Sequence, residues 1–310
     1  MLYNRDFIDE KIKTAIKSSE NLIGEGKLAN YIPELANVDP DNFALSIMSV
    51  TGDCFNYGNY NYEFSLQSIS KVLLLIMALH DNDPEAVFEK VGTEPTRYEF
   101  NSLVPIDEKA ANPFINAGAM TTSSMILGND VDKKFARILE YYQKMSQYEK
   151  AALMSEVYKS EMDTTDRNKA IAYYLKSKEI FTDDPEKVLD LYIRACSIST
   201  NVSALARMGA VLANKGIDLD SHYNLLSKSE VQIVVSQMAT CGMYENSGKY
   251  LMNVGIPSKS GVSGGILGVV PGVCGIGVYS PRLDATGNSV RGKEIFNILG
   301  QELDLSIFIH

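Results

Sequence analysis

The sequence predicts an α/β (α+β) fold: one antiparallel sheet flanked by helices, built from both ends of the chain, with an all-helical domain inserted into it. Two observations carry this expectation. Strand-like runs are confined to the flanks of the chain, and between them the apolar residues recur at the helical period. A third is capacity: 310 residues, 45% hydrophobic and 22% charged, supply ample material for a core. The boundaries that follow are a sheet domain over 1–64 and 225–310 and a helical domain over 65–224, with an active site between them.

Residues 6–23 place Phe7, Ile8, Ile12, Ala15, Ile16 and Ile23 on a helical stripe. Phe43–Val50 reads as a strand, Thr51-Gly52-Asp53 as a turn, and Cys54–Tyr57 as its partner. Beyond Ser65 helices are expected over 66–80, 117–128, 131–147, 167–181, 185–196 and 201–214, broken at 112–118 and at Asp183-Asp184-Pro185. A helix over 229–241 precedes the strands Gly265–Val270 and Val273–Tyr279, which turn at Pro271-Gly272. A helix near 291–301 and a short strand, Leu305–Ile309, complete the pattern. Ser260–Pro281 carries no charge over 22 residues, long enough to span a bilayer. Its seven glycines and Pro271 suit a buried hairpin better than a helix.

Charge and composition exclude several functions. Against 29 Lys and Arg stand 39 Asp and Glu, a net charge of −10 that repels phosphate, so neither nucleic acid nor an anionic membrane is an expected partner. The three histidines, His80, His222 and His310, are too few and scattered for a zinc site or a His-centred triad. Cys54, Cys196, Cys241 and Cys274 form no CxxC pair, so no metal and no structural disulfide is expected. The opening residues are too charged for an export signal, and a cytoplasmic location is expected.

The strongest chemical feature is Ser65-Leu66-Gln67-Ser68-Ile69-Ser70-Lys71, opening an apolar run. With Ser65 as N-cap, Ser68 falls in the first turn, where its N–H lacks a helical acceptor and suits an oxyanion. Spacing of three puts Lys71 on the same face, about 4.5 Å further along the axis. As a base it must be neutral, which an ordinary lysine is only about once in 2,500 at pH 7; burial or a second cation would shift it. A solvated helix face would show the same two residues. Lys259-Ser260-Gly261-Val262-Ser263-Gly264-Gly265 offers a Gly-rich turn in which the Val262 N–H is a second oxyanion donor. Asn116, in Asn112-Pro-Phe-Ile-Asn116-Ala-Gly-Ala, serves either as a helix cap or as a ligand group. Glu161 and Asp166-Arg167-Asn168 read as a charged loop and helix start. Tyr31, Tyr192 and the segment Met243–Gly248 complete the candidates, and Ser247-Gly248 is expected to act as a hinge closing the Tyr244 loop over the site.

Taken in order, these segments resemble the serine-dependent glutaminases, which have the β-lactamase and penicillin-binding fold. The likeness runs from Tyr31-Ile-Pro through Gln67-Ser68-x-x-Lys71, Asn112-Pro-x-x-Asn116-Ala-Gly, Glu161, Asp166-Arg-Asn168 and Tyr192 to Met243-Tyr244-x-x-Ser247-Gly248, Lys259-Ser-Gly-Val262 and Ser280–Gly292, nearly the whole chain. The resemblance implies Ser68 as nucleophile with Lys71 and Tyr244 as proton-transfer partners. It implies that Tyr31, Asn116, Glu161, Asn168, Tyr192 and Tyr244 hold the substrate, with the Val262 N–H at the oxyanion. The reaction implied is hydrolysis of L-glutamine to L-glutamate and ammonia through a glutamyl-enzyme, without metal or cofactor, in a homodimer or homotetramer. Two alternatives remain at this stage. Ser199-Thr200-Asn201 and Lys259-Ser260-Gly261 mimic motifs of penicillin-recognising hydrolases of the same fold, and a non-catalytic amino-acid-binding protein would need the same pocket.

Overall fold

A computed structural model of the chain describes residues 4–103, 106 and 108–309. Helix α1 (Arg5–Ser18) starts at Asn4, whose side chain accepts the Phe7 N–H at 2.8 Å. A 3-10 turn over Ser19–Leu22 follows, so the stripe expected over 6–23 is helical but not one helix. After α2 (Pro33–Ala36), strands β1 (Ala44–Ser49) and β2 (Cys54–Gly58) form the first hairpin. The two-residue strand β3 (Phe64–Ser65) leads to α3 (Ser70–Asp81), α4 (Pro84–Lys90), α5 (Asn116–Ser124), α6 (Val131–Ser146), α7 (Ser155–Asp163), α8 (Asp166–Ser177) and α9 (Pro185–Cys196). Next come β4 (Ser199–Thr200), α10 (Val202–Ala213), α11 (Lys228–Cys241), α12 (Ser247–Val254), β5 (Ser258–Ser260), β6 (Gly265–Val270), β7 (Cys274–Tyr279) and α13 (Val290–Glu302).

The main sheet is antiparallel throughout, in the order β2-β1-β7-β6-β5. Ends of the chain meet at its centre, where Ile47 of β1 lies opposite Ile276 of β7. Side-chain alternation then sorts the faces. Leu45, Ile47, Ile266, Ile276 and Val278 point to one side and pack on Ile8 and Ile12 of α1 and Ile295, Phe296 and Leu299 of α13. Each such side chain contributes about 1.5–3 kcal/mol on burial. On the other face lies α10, in unusually close contact. A Cβ on Gly275 would stand 2.2 Å from the Ala206 carbonyl oxygen and the Ala210 nitrogen, and one on Gly277 would stand 2.3 Å from the Val202 carbonyl oxygen. The glycines of the uncharged stretch therefore seat a helix on a sheet. Among the described residues no helix is long and apolar enough to cross a membrane.

Helix α3 is buried from Ser70 to Leu79, packed against α5, α9 and α11, which is the expected setting for a helix apolar on every side. Several expectations need correction. Ser65 is not a cap: it belongs to β3, paired with Ser199 of β4, and a 3-10 turn over Gln67–Ile69 precedes α3. The helix expected over 117–128 ends at Ser124, because Thr121, Thr122, Ser123 and Ser124 all turn their hydroxyls onto carbonyls of the preceding turn. Leu305–Ile309 is not a strand. It meets the end of α12 instead of a sheet edge, with the Ile307 N–H donating to Gly255 and Phe308 and Ile309 exposed. Ser247-Gly248 opens α12 rather than lying within a loop.

Candidate active site

The site lies where the turn before α3, the starts of α5 and α8, helices α7 and α9, and the β5–β6 turn converge. A cavity of about 320 Å³ is lined there by Tyr31, Ser68, Asn116, Glu161, Asn168, Tyr192 and Val262, all candidate site residues in the sequence, together with Gln67 and Arg167, which stand in the quoted motifs without a role, and Phe100, which stands in none. Lys71 and Tyr244 stand behind this lining, linked to it by hydrogen bonds.

Ser68 follows Gln67, whose φ of +49° is left-handed and strained for a residue with a β-carbon. The strain is offset by side-chain bonds. Gln67 Nε2 donates to Ser65 Oγ at 3.2 Å and to Glu161 Oε1 at 3.0 Å, while its backbone carbonyl accepts the Ser70 hydroxyl at 2.8 Å. This kink presents Ser68 at the cavity with its N–H in the first turn. The Ser68 side chain lies beside the Tyr244 hydroxyl, where it favours the ionised form of the phenol. Tyr244 in turn donates to the Ser260 carbonyl at 3.2 Å, and its ring lies 4.9 Å from that of Phe100. Burial pushes its phenol pKa well up, so it stays protonated.

Lys71 is fully buried in the first turn of α3. Its Nζ donates to Asn116 Oδ1 at 2.7 Å and to the Phe114 carbonyl at 3.2 Å, and no carboxylate pairs with it among the described residues. Burial lowers its pKa to about 8. The neutral fraction at pH 7 rises to about one in ten, against about one in 2,500 for an ordinary lysine. A second lysine shares the interior. Lys259, central in β5 and fully buried, donates to the Ser260 carbonyl at 2.7 Å, and its Nζ lies 4.5 Å from the centre of the Tyr244 ring. Burial first, and then the charge on Lys71, holds its pKa well below the usual lysine value. In the sequence Lys259 stands in a Gly-rich turn and in the family-like motifs, with no role of its own. The available signal was its position as the last charge before 22 uncharged residues.

Asn116 is the hub. It is the first residue of α5 rather than its cap, which is Ile115. Its Oδ1 accepts from Lys71 and, at 3.1 Å, from the Tyr192 hydroxyl, and its Nδ2 donates to Asn168 Oδ1 at 2.9 Å. Glu161 is a helical residue of α7, not a loop residue, and is 8% exposed. Its Oε1 accepts from Tyr31 at 2.8 Å and from Gln67 at 3.0 Å, and no cation pairs with it among the described residues. Burial pushes its carboxyl above the ordinary range, against the opposing pull of those two bonds. Across the cavity, the Val262 N–H has no hydrogen-bond partner among the described residues. The penicillin-like Ser199-Thr200-Asn201 is occupied structurally: Ser199 Oγ accepts the Ala152 N–H at 3.1 Å, and Asn201 caps α10 through the Ala204 N–H at 2.9 Å.

The family model for glutaminase matches residues 26–308. The glutaminase of Clostridium tetani is 44% identical over 305 residues, covering 97% of this chain and all of that protein. The chain belongs to the glutaminase family. Glutaminase 2 of Clostridium perfringens is 41% identical, covering 96% of this chain and 99% of its own. Among solved structures, the probable glutaminase ybaS superposes with a TM-score of 0.94 at 37% identity, covering 99% of this chain and 100% of that one. The probable glutaminase of Bacillus subtilis complexed with 6-diazo-5-oxo-L-norleucine gives 0.87 at 33% identity, covering 96% and 94%. The fold is that of these glutaminases, β-lactamase-like, and the chain is an amidohydrolase acting on glutamine.

Proposed function

We propose that this glutaminase hydrolyses L-glutamine to L-glutamate and ammonia through Ser68. The observation that carries the reading is a buried lysine with no counter-ion among the described residues, one helical turn beyond a serine that faces a cavity holding a glutamate equally uncompensated among them. An amino-acid substrate supplies the missing charge: its ammonium suits Glu161, and its polar groups suit Tyr31, Asn116, Asn168 and Tyr192. Ser68 Oγ attacks the side-chain amide carbon, and its proton passes to neutral Lys71, directly or through the Tyr244 hydroxyl. The amide oxygen becomes an oxyanion between the N–H groups of Ser68 and Val262. Collapse of that intermediate breaks the C–N bond as the amide nitrogen takes a proton and leaves as ammonia. Water then attacks the glutamyl ester, gives its proton to the same base, and releases glutamate and Ser68.

A solved relative, Mglu, carries glutamate in one structure at 34% identity, and this supports glutamate as product here. The division into a sheet domain (1–64, 225–310) and a helical domain (65–224) is supported by the main ladder, all of whose strands lie in the former. Assembly as a homodimer or homotetramer and a cytoplasmic location belong to the same reading; size-exclusion with light scattering and cell fractionation test them. The mechanism is tested by ammonia release from glutamine. Ser68→Ala should fold normally and lose nearly all turnover, whereas near-normal turnover refutes the assignment.

A further inference from the structure

Tyr244 reaches Ser68 from a strained backbone: its φ is +54°, left-handed for a residue with a β-carbon. Two side chains hold that turn, beside the Asn246 N–H, which donates to the Met243 carbonyl at 3.2 Å. On the near side, Ser247 Oγ accepts the Met243 N–H at 3.0 Å and donates to the Tyr244 carbonyl at 2.7 Å. On the far side stands Asn288, which is 0% exposed and has no part in the chemistry above. Its Nδ2 donates to the Met243 carbonyl at 3.3 Å and to Thr286 Oγ1 at 2.9 Å.

Asn288 is presented by a loop closed on Asp284. Asp284 Oδ1 accepts the N–H groups of Thr286 and Asn288 at 2.8 and 3.1 Å and the Thr286 hydroxyl at 2.8 Å, and Oδ2 takes the Lys293 ammonium of α13. The backbone closes as well, through the Asp284 N–H on the Asn288 carbonyl at 2.9 Å. The loop passes beside the reacting groups: a Cβ on Gly287 would lie 3.6 Å from the Tyr244 ring and 3.7 Å from Val262. It thus ties α13 to the peptide that sets the direction of Tyr244.

We propose that Asn288 is a positioning residue for Tyr244, its amide fixing the Met243 carbonyl and with it the left-handed turn that aims the Tyr244 hydroxyl at Ser68. The proposal rests on the reading of Tyr244 as proton relay. Without the amide the Met243 carbonyl keeps only the Asn246 N–H, at 3.2 Å, so the Met243–Tyr244 peptide is held less firmly and the hydroxyl shifts from its place. Displacement of a reacting group by about 1 Å lowers turnover by up to about 100-fold.

The test is a double-mutant cycle of Asn288→Ala and Tyr244→Phe, with kcat and KM for glutamine measured by ammonia release and folding checked by circular dichroism. Asn288→Ala should lower kcat roughly 10–100-fold with KM changed less than about 3-fold. In the Tyr244→Phe background the same substitution should change kcat less than about 3-fold, because the hydroxyl it positions is gone. Equal losses in both backgrounds, or wild-type kcat in Asn288→Ala, overturn the proposal while leaving the relay intact. Full turnover in Tyr244→Phe is a different failure: the relay reading falls and takes the proposal with it. If Asn288→Ala does not fold, Asn288→Ser, whose shorter hydroxyl cannot span to Met243, goes through the same cycle under the same criteria.

Discussion

Replacing Lys71 by methionine removes the proposed base and also a charge that the fold holds at a disadvantage. The pKa of Lys71 falls from 10.5 to about 8 on burial. At about 1.36 kcal/mol per unit, the ammonium form destabilises the folded state by roughly 3 kcal/mol. The unfolded chain binds this proton more tightly than the folded one. The penalty is therefore fully present below about pH 8, shrinks as pH rises, and is gone above the unfolded value of 10.5. Methionine fills a similar volume without the charge, but it orphans one acceptor: the Phe114 carbonyl loses its lysine donor, whereas Asn116 Oδ1 keeps Tyr192. That loss returns about 1–2 kcal/mol. Lys71→Met should therefore be about 1–2 kcal/mol more stable than wild type at pH 7, by urea unfolding, while ammonia release falls on the order of 10²–10⁴-fold. By about pH 10 the stability advantage should vanish or reverse. A variant less stable than wild type at pH 7, or a difference independent of pH, refutes the picture of a burial-depressed lysine.

Three further expectations follow from the same geometry. If neutral Lys71 is the base, kcat/KM climbs about tenfold per pH unit up to about pH 8 and then levels, and a flat profile below pH 8 contradicts it. Glu161→Gln keeps the shape but removes the charge proposed to meet the substrate ammonium. Its kcat/KM should fall on the order of 10²–10³-fold, and isothermal titration should show weakened glutamate binding; unchanged binding places the ammonium elsewhere. Gly275→Ala drives a methyl into the backbone of α10, so its urea midpoint should drop by an amount equivalent to about 1–3 kcal/mol or more, and an unchanged midpoint contradicts the close seating of α10 on β7.

Local chemistry made some elements legible in the sequence. Helix α9 has the expected bounds because Asp184 caps it and Pro185 occupies its first position, and the β6–β7 hairpin follows its Pro-Gly turn. Non-local pairing defeated the reading elsewhere. Ser65 has the look of a helix cap, yet a strand partner more than a hundred residues away, Ser199, claims its backbone. Ser258-Lys259-Ser260 has no apolar alternation, although all three residues are buried in β5. The candidate site was legible as an ordered set of motifs, and the structure brings Tyr31, Ser68, Asn116, Glu161, Asn168, Tyr192 and Val262 to one cavity. Gln67 and Lys259 stand in the quoted motifs without a role, because their importance lies in burial and in what they face, which a single chain of letters does not carry. Phe100 lies outside any periodic pattern that would place it at the cavity, and Arg167 opens an expected helix whose period does not say what it faces.

The central claim, a covalent glutamyl ester on Ser68, is tested most directly by trapping it. Enzyme turning over glutamine is quenched in acid within milliseconds, digested, and mapped by mass spectrometry. The account predicts a glutamyl adduct on the peptide that contains Ser68, absent from Ser68→Ala. An adduct on another residue, or ammonia release at the wild-type rate from Ser68→Ala, contradicts it.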